Sequence, residues 1–233
     1  MELPKETTPD VAAGDTHGRW YDDACGTAFA MEIVGERWAM LVVRELLLGP
    51  RRFSDLRASL PGISAKVLTQ RLTALEQAGV LVHRTSAAPA PVPLYELTAW
   101  GQALEPALLE LGRWATMHGG HNPRLPLSPV ALMLSLRTTL NVSAAEGMRV
   151  SAGFTVAGQS FLAELDRGAM PVRRAPAGEG MIGFAAAEPL PLLRLFYGKQ
   201  PLAEAQRAGV EIRGHAGTVQ RFIALFALPQ KLA

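Results

Sequence analysis

A proline–glycine pair at positions 61 and 62 cuts one stretch of this chain into two helices. The stretch is "RRFSDLRASLPGISAKVLTQRLTALEQAG", residues 51–79. Before the break, Ser54 is placed to cap a short helix from Asp55 to Leu60, with Asp55 at its positive end. After it, Ser64 offers a second cap for a helix reaching Ala78, and Gly79 suits the position that closes it. Leu68, Leu72 and Leu75 fall at i, i+4 and i+7, so one face of this second helix is expected to be buried. Lys66, Gln70, Thr73 and Gln77 fall on the opposite side. Helix, sharp turn and helix are therefore imposed within thirty residues, and everything around them must accommodate that corner.

Upstream, the apolar spacing of Ile33, Val34, Trp38, Leu41 and Val42 predicts one helix from Ala28 to Leu48, stopped by Gly49-Pro50. Trp38 reads as its core anchor. Downstream, "VLVHRT" and "PLYELT" read as two short strands joined by the loop "SAAPAPV". A further helix is expected from Ala99 to Met117. Its stripe of Leu104, Leu108, Leu111 and Ala115, flanked by Trp100, Ala107 and Trp114, spans about 140°, which leaves room for a second partner such as the same helix of another subunit.

"HGGHNPRLPLSPV", residues 118–130, is dense in glycine and proline and reads as a linker. The expected organisation is a polar tail over 1–19, a first domain over 20–118, a linker over 119–127 and a second domain over 128–233. In the second domain Ser128-Pro129 opens a helix to about Leu140. Alternating Val150, Ala152, Phe154 and Val156 predict a half-buried strand. "QSFLAEL", "MPVRRA", "MIGFAAA" and "VEIRG" read as further strands, with Asp166 in a turn before Gly168. "PLLRLFYG", "LAEAQRAG" and "TVQRFIALFAL" read as helices. The fold class expected is α+β.

Composition narrows the function. Hydrophobic residues at 48% and charged residues at 19% fit a soluble globular protein, and no uncharged apolar run is long enough for a membrane span. The polar N-terminus has no apolar signal core, so a cytoplasmic location and no membrane partner are expected. One cysteine excludes an internal disulfide and a cysteine-built zinc site. His118 and His121 flank two glycines without further ligands, so no metal is expected. No phosphate loop, serine elbow or carboxylate pair stands out, and neither an enzyme nor a cofactor is expected. Net charge is only +2, yet residues 51–84 hold Arg51, Arg52, Arg57, Lys66, Arg71 and Arg84 against Asp55 and Glu76, a local balance of +4. An anionic partner responds to charge within about 10 Å.

These features suit double-stranded DNA. An α-helix about 10–12 Å across fits the major groove, where base edges carry readable donors and acceptors. Ser64, Lys66, Thr69, Gln70 and Thr73 are the candidates for base and phosphate contacts from the second helix, with Arg51, Arg52 and Arg84 flanking the backbone. The run "CGTAFAMEIVGERWAMLVVRELLLGPRRFSDLRASLPGISAKVLTQRLTALEQAGVLVHR", with "YELTAWGQALEPALLELGRWA" after it, resembles the HxlR family of bacterial winged-helix transcriptional regulators over about residues 22–116. The resemblance implies a homodimer on a two-fold related operator, dimerised by its outer helices, with the recognition helix at 64–78 and the wing at 80–98. It also places Cys25 where some members carry a cysteine that senses oxidants or electrophiles.

"FTVAGQSFLAELDRG", "LLRLFYGKQPLAEAQRAGVEIRG" and "RFIALFALP" are similar, more distantly, to sterol-carrier-protein-type lipid-binding domains. That resemblance implies an apolar cavity between sheet and helices, lined by Phe154, Phe161, Phe184, Leu193, Phe196, Phe222 and Phe226, in which an apolar small-molecule effector could bind. The leading expectation is a repressor or dual regulator with an appended ligand-binding domain. The alternative is an intracellular carrier of apolar ligands whose first half only dimerises.

Overall fold

The computed structural model describes residues 21, 23–86 and 91–232. The expected tail over 1–19 and the tip of the "SAAPAPV" loop lie outside the described residues. The chain is α+β, as the patterning implies.

The first half opens with α1 (Gly26–Val34) and α2 (Ala39–Leu46), two helices where the sequence predicted one. The break is local: Gly35 follows α1, and Trp38 takes φ +79° immediately before α2. A left-handed residue cannot continue a right-handed helix. Trp38 is only half-buried; it lies 3.8 Å from where a Cβ on Gly62 would stand and so backs the Pro61-Gly62 turn. Gly62 has φ +91°, a conformation open to glycine and costly to other residues. Next come α3 (Phe53–Ser59) and α4 (Ala65–Gln77). Ser54 does not cap α3: the helix begins earlier, Arg52 holds the cap position without a side-chain bond, and Ser54 lies in the first turn.

β1 (Leu81–Thr85) and β2 (Pro93–Leu97) pair antiparallel from Leu81↔Leu97 to Thr85↔Pro93. Arg51 adds a third backbone segment, donating to the Tyr95 carbonyl at 3.0 Å and accepting from the Tyr95 N–H at 2.8 Å. The expected helix over 99–117 is also two pieces, α5 (Ala99–Gln102) and α6 (Glu105–Thr116). Pro106, in the first turn of α6, has no N–H to extend α5.

The second half begins with α7 (Pro129–Thr139), capped as expected by Ser128, whose hydroxyl accepts from the Ala131 N–H at 3.0 Å. A short α8 (Val142–Ala145), unforeseen in the sequence, leads to β3 (Arg149–Val156) and β4 (Gln159–Asp166). Ala157 and Gly158 form the two-residue turn between these strands, both at positive φ. β5 (Val172–Arg174), β6 (Ile182–Ala186), α9 (Pro189–Phe196), α10 (Leu202–Arg207), β7 (Glu211–Arg213) and α11 (Ala216–Ala224) follow. The sheet order is β5-β4-β3-β6-β7, with β3 and β6 parallel and the other neighbours antiparallel.

Register places Arg174, Phe161, Phe154, Phe184 and Ile212 in one row across a single face of this sheet. α9 and α11 cover that face. α7 packs on α9 and also on α2 and α6, so the two halves share a continuous apolar cluster. At the seam, fully buried Glu45 on α2 accepts from the Ser128 hydroxyl at 2.6 Å. Arg137 on α7 forms an ion pair with Glu105 on α6. Near the C-terminus, Lys231 donates to the Thr116 and His118 carbonyls at 2.8 and 3.0 Å, closing the end of α6.

Candidate nucleic-acid interface

Helix α4 is mounted as its leucine spacing predicts. Leu68, Leu72 and Leu75 are buried, and burial of each side chain contributes roughly 2 kcal/mol to holding the helix down. The Ser64 hydroxyl accepts from the Val67 N–H at 3.2 Å. Glu76 Oε1 accepts from the His83 N–H at 3.2 Å, tying the helix end to β1. Lys66, Thr69, Gln70 and Thr73 are all exposed on the opposite face. Thr69 Oγ1 donates to the Ala65 carbonyl at 3.0 Å, which leaves the oxygen's lone pairs facing outward. Ser64, Ala65 and Lys66 at the helix start are exposed, so the N–H groups there that Ser64 does not engage, together with the helix dipole, favour an anion.

The expected flanking arginines separate into two groups. Arg52 is exposed beside the start of α3, and Arg57 on α3, which shares the basic cluster, is exposed as well. Arg84 is exposed on β1, 3.3 Å from Glu96 across the ribbon. Arg51 departs from the expectation. It is only 6% exposed, and its guanidinium points inward to Gln159 Oε1 (3.1 Å), the Asp55 carbonyl (3.3 Å) and Ser59 Oγ (3.2 Å). Pairing its backbone with Tyr95 turns the side chain toward the second half, which periodicity within residues 51–84 could not reveal. Arg71 is likewise half-buried, 3.6 Å from Glu36.

Cys25 is exposed and occupies the cap position of α1. The backbone N–H of Thr27, then its hydroxyl and the N–H of Ala28, hold the thiol below its ordinary pKa. A helix start stabilises thiolate for the same reason that it binds anions. Several large apolar side chains of this half are exposed: Phe29 and Met31 on α1, Trp100 on α5, and Leu111 and Trp114 on α6. A groove of about 250 Å³ runs between α1 and α5, with Phe29, Ile33, Trp100 and Leu104 among its walls.

The seven apolar candidates of the second half lie together, but as filling. Phe154, Phe161, Phe184, Phe196, Phe222 and Phe226 are fully buried, and Leu193 is half-buried against them. Phe184 stacks on Phe154 at 5.2 Å between ring centroids and meets Phe196 edge-on at 5.1 Å; Phe222 meets Phe226 at 5.1 Å. Rings at such spacing are in mutual contact. His118 Nδ1 accepts from the Gly120 N–H, and burial followed by the Lys231 charge lowers the pKa of His121. Among the described residues no three His, Cys, Asp or Glu side chains are grouped to hold a metal ion, and no helix is long and apolar enough to cross a membrane.

Residues absent from the sequence expectation also converge. Arg174 and Gln159 of the sheet meet Arg51, and Glu45 sits behind them. No spacing links positions 45, 51, 159 and 174; the packing of the two halves brings them together.

Residues 33–123 match the family described as HxlR-like helix-turn-helix. The "Uncharacterized HTH-type transcriptional regulator YvaP" of Bacillus subtilis (strain 168) is 46% identical over 88 residues, 37% of this chain and 81% of that protein. The "HTH-type transcriptional regulator YodB" of the same organism is 38% identical over 87 residues, covering 37% of this chain and 77% of it. The solved structure titled "Reduced form of the transcriptional regulator YodB from B. subtilis" aligns with 31% identity and a TM-score of 0.38, over 41% of this chain and 95% of that one. The family match over residues 33–123 and the 46% identity to YvaP across 81% of that protein show that the chain belongs to the HxlR family of helix-turn-helix transcriptional regulators.

Proposed function

We propose that this DNA-binding regulator acts as a homodimer on a two-fold related operator, as a repressor or dual regulator. In this reading α4 lies in the major groove of each half-site. The observation that carries it is the polar face of α4, exposed along its length while three leucines anchor the other side. Lys66, Gln70 and Thr73 read base edges, Ser64 and Thr69 position the helix start, and Arg52 and Arg84 neutralise phosphates. The exposed Trp100, Leu111 and Trp114 supply the dimer contact, and Cys25, exposed at the start of α1, is the candidate redox sensor.

The second half is proposed to be a sterol-carrier-like unit that modulates operator affinity. Its attachment supports this, because α7 packs on both α2 and α6 and can pass a change in geometry to the DNA-binding half. Anisotropy of labelled DNA from upstream of the protein's own gene is the direct test. Binding should exceed that to scrambled duplex, fall steeply with salt, and weaken when Lys66 and Gln70 become alanine. Equal affinity for scrambled DNA removes the reading.

A further inference from the structure

Arg51 and Arg174, from opposite halves of the chain, point at the same neutral atom. Arg51 Nη1 donates to Gln159 Oε1 at 3.1 Å, and both terminal nitrogens of Arg174 donate to that same oxygen at 3.2 Å. Two guanidiniums thus share an acceptor that carries no charge. The Nε of Arg174 is buried and has no hydrogen-bond partner, and no carboxylate among the described residues lies within 4.0 Å of this side chain. Burial, and then the neighbouring Arg51 charge, push Arg174 down to about 10. Its guanidinium also lies 5.1 Å over the Phe161 ring, which fixes its plane.

The pair opens onto a cleft of about 620 Å³ between the two halves. One wall is α3 and the turn before α4, through Asp55, Ser59 and Pro61. Pro126, Leu127 and Pro189 give the lining an apolar part. Two acidic groups oppose an anion here. Glu45 is engaged by Arg44 at 2.8 Å and by Ser128, with its second oxygen 3.9 Å from Arg51. Asp55 lines the cleft and favours the charged form of Arg174. Neither forms a hydrogen bond to Arg174.

We propose that this cleft binds a small organic anion, its carboxylate or phosphate received by Arg51 and Arg174 and its apolar part resting on the proline–leucine lining. A planar guanidinium pairs with such oxyanions bidentately, and a charged acceptor forms stronger bonds than the amide oxygen now shared. The ligand's position between α3 and the sheet would fix the helix-turn-helix relative to the second half. Binding itself is independent of the DNA reading, and only the effect on operator affinity rests on it.

Calorimetric titration of the full chain with benzoate, with inorganic phosphate and with benzamide tests the site. One of the two anions should bind saturably at one per chain while neutral benzamide does not; preference between the anions assigns carboxylate or phosphoryl chemistry. Arg174→Gln should weaken binding by about tenfold or more while the chain keeps a cooperative thermal melt. Asp55→Asn should tighten it severalfold, a gain that misfolding cannot produce. Absence of binding by both anions at millimolar concentration, equal binding of benzamide, or an Arg174→Gln variant that binds as the parent does would overturn the proposal. Operator anisotropy run in parallel separates the failures. Anion binding without sequence-specific DNA binding removes only the operator reading, and sequence-specific DNA binding without anion binding removes only the site.

Discussion

The Ser128 hydroxyl caps α7 and, at 2.6 Å, donates to Glu45 Oε1, a carboxylate on α2 with no solvent exposure. One buried oxygen therefore joins the start of the second half to the core of the first. Arg44 at 2.8 Å and Arg51 at 3.9 Å supply the compensating charge. Glu45→Ala would leave Arg51 buried without its countercharge and should cost about 3 kcal/mol. Because the cluster is continuous, both halves should lose stability together, seen as one urea transition shifted to lower midpoint. Separate transitions, with only one displaced, would show that the halves fold independently.

Side chains on α4 and beside it should respond differently to DNA. If Gln70 reads a base edge as proposed, Gln70→Ala should lower operator affinity by about 1–3 kcal/mol while scrambled duplex is unaffected. Arg52→Ala should weaken both duplexes alike and reduce the magnitude of the salt slope by about 0.9. Anisotropy titrations at several salt concentrations resolve the two patterns.

Much of this face was legible because α4 obeys a local rule: leucines at 68, 72 and 75 leave the polar side facing out, and Ser64 caps where expected. The misreadings have local causes as well. Apolar spacing ran through Trp38 without registering its left-handed backbone, and it ran through Leu104 although Pro106 restarts the helix. Arg51 is different in kind. Its burial depends on Gln159, 108 positions away, and no periodicity encodes such a contact.

The phenylalanine cluster leads to a stability prediction. Phe222 is fully buried, meeting Phe196 at 6.2 Å and Phe226 at 5.1 Å between centroids. Phe222→Ala should destabilise the chain by about 3–5 kcal/mol in urea unfolding, from lost burial and the cavity left behind. A loss under 1 kcal/mol would mean that the rings border open space instead of packing on one another.

The exposed aromatic on α6 should behave in the opposite manner. Trp114 is 68% exposed in the single chain, so Trp114→Asp should change its intrinsic stability by only about 0.5 kcal/mol. If α6 forms the dimer contact, the substitution should shift sedimentation toward the monomer and weaken operator binding together. A variant that still sediments as a dimer would place the interface elsewhere.

Cys25 yields a pH prediction. The Thr27 backbone N–H, together with the Thr27 hydroxyl and the Ala28 N–H, favours thiolate, so the native pKa lies below that of the unfolded chain. The sign follows directly: between the two values the folded protein holds thiolate while the unfolded chain holds thiol. Alkylation by iodoacetamide, which consumes thiolate, should therefore rise at lower pH in native protein than in urea. Thr27→Val removes the hydroxyl but keeps the backbone donors, so it should move the native inflection only part of the way toward the unfolded one. Coincident native and urea profiles would show that the start of α1 does not activate the thiol.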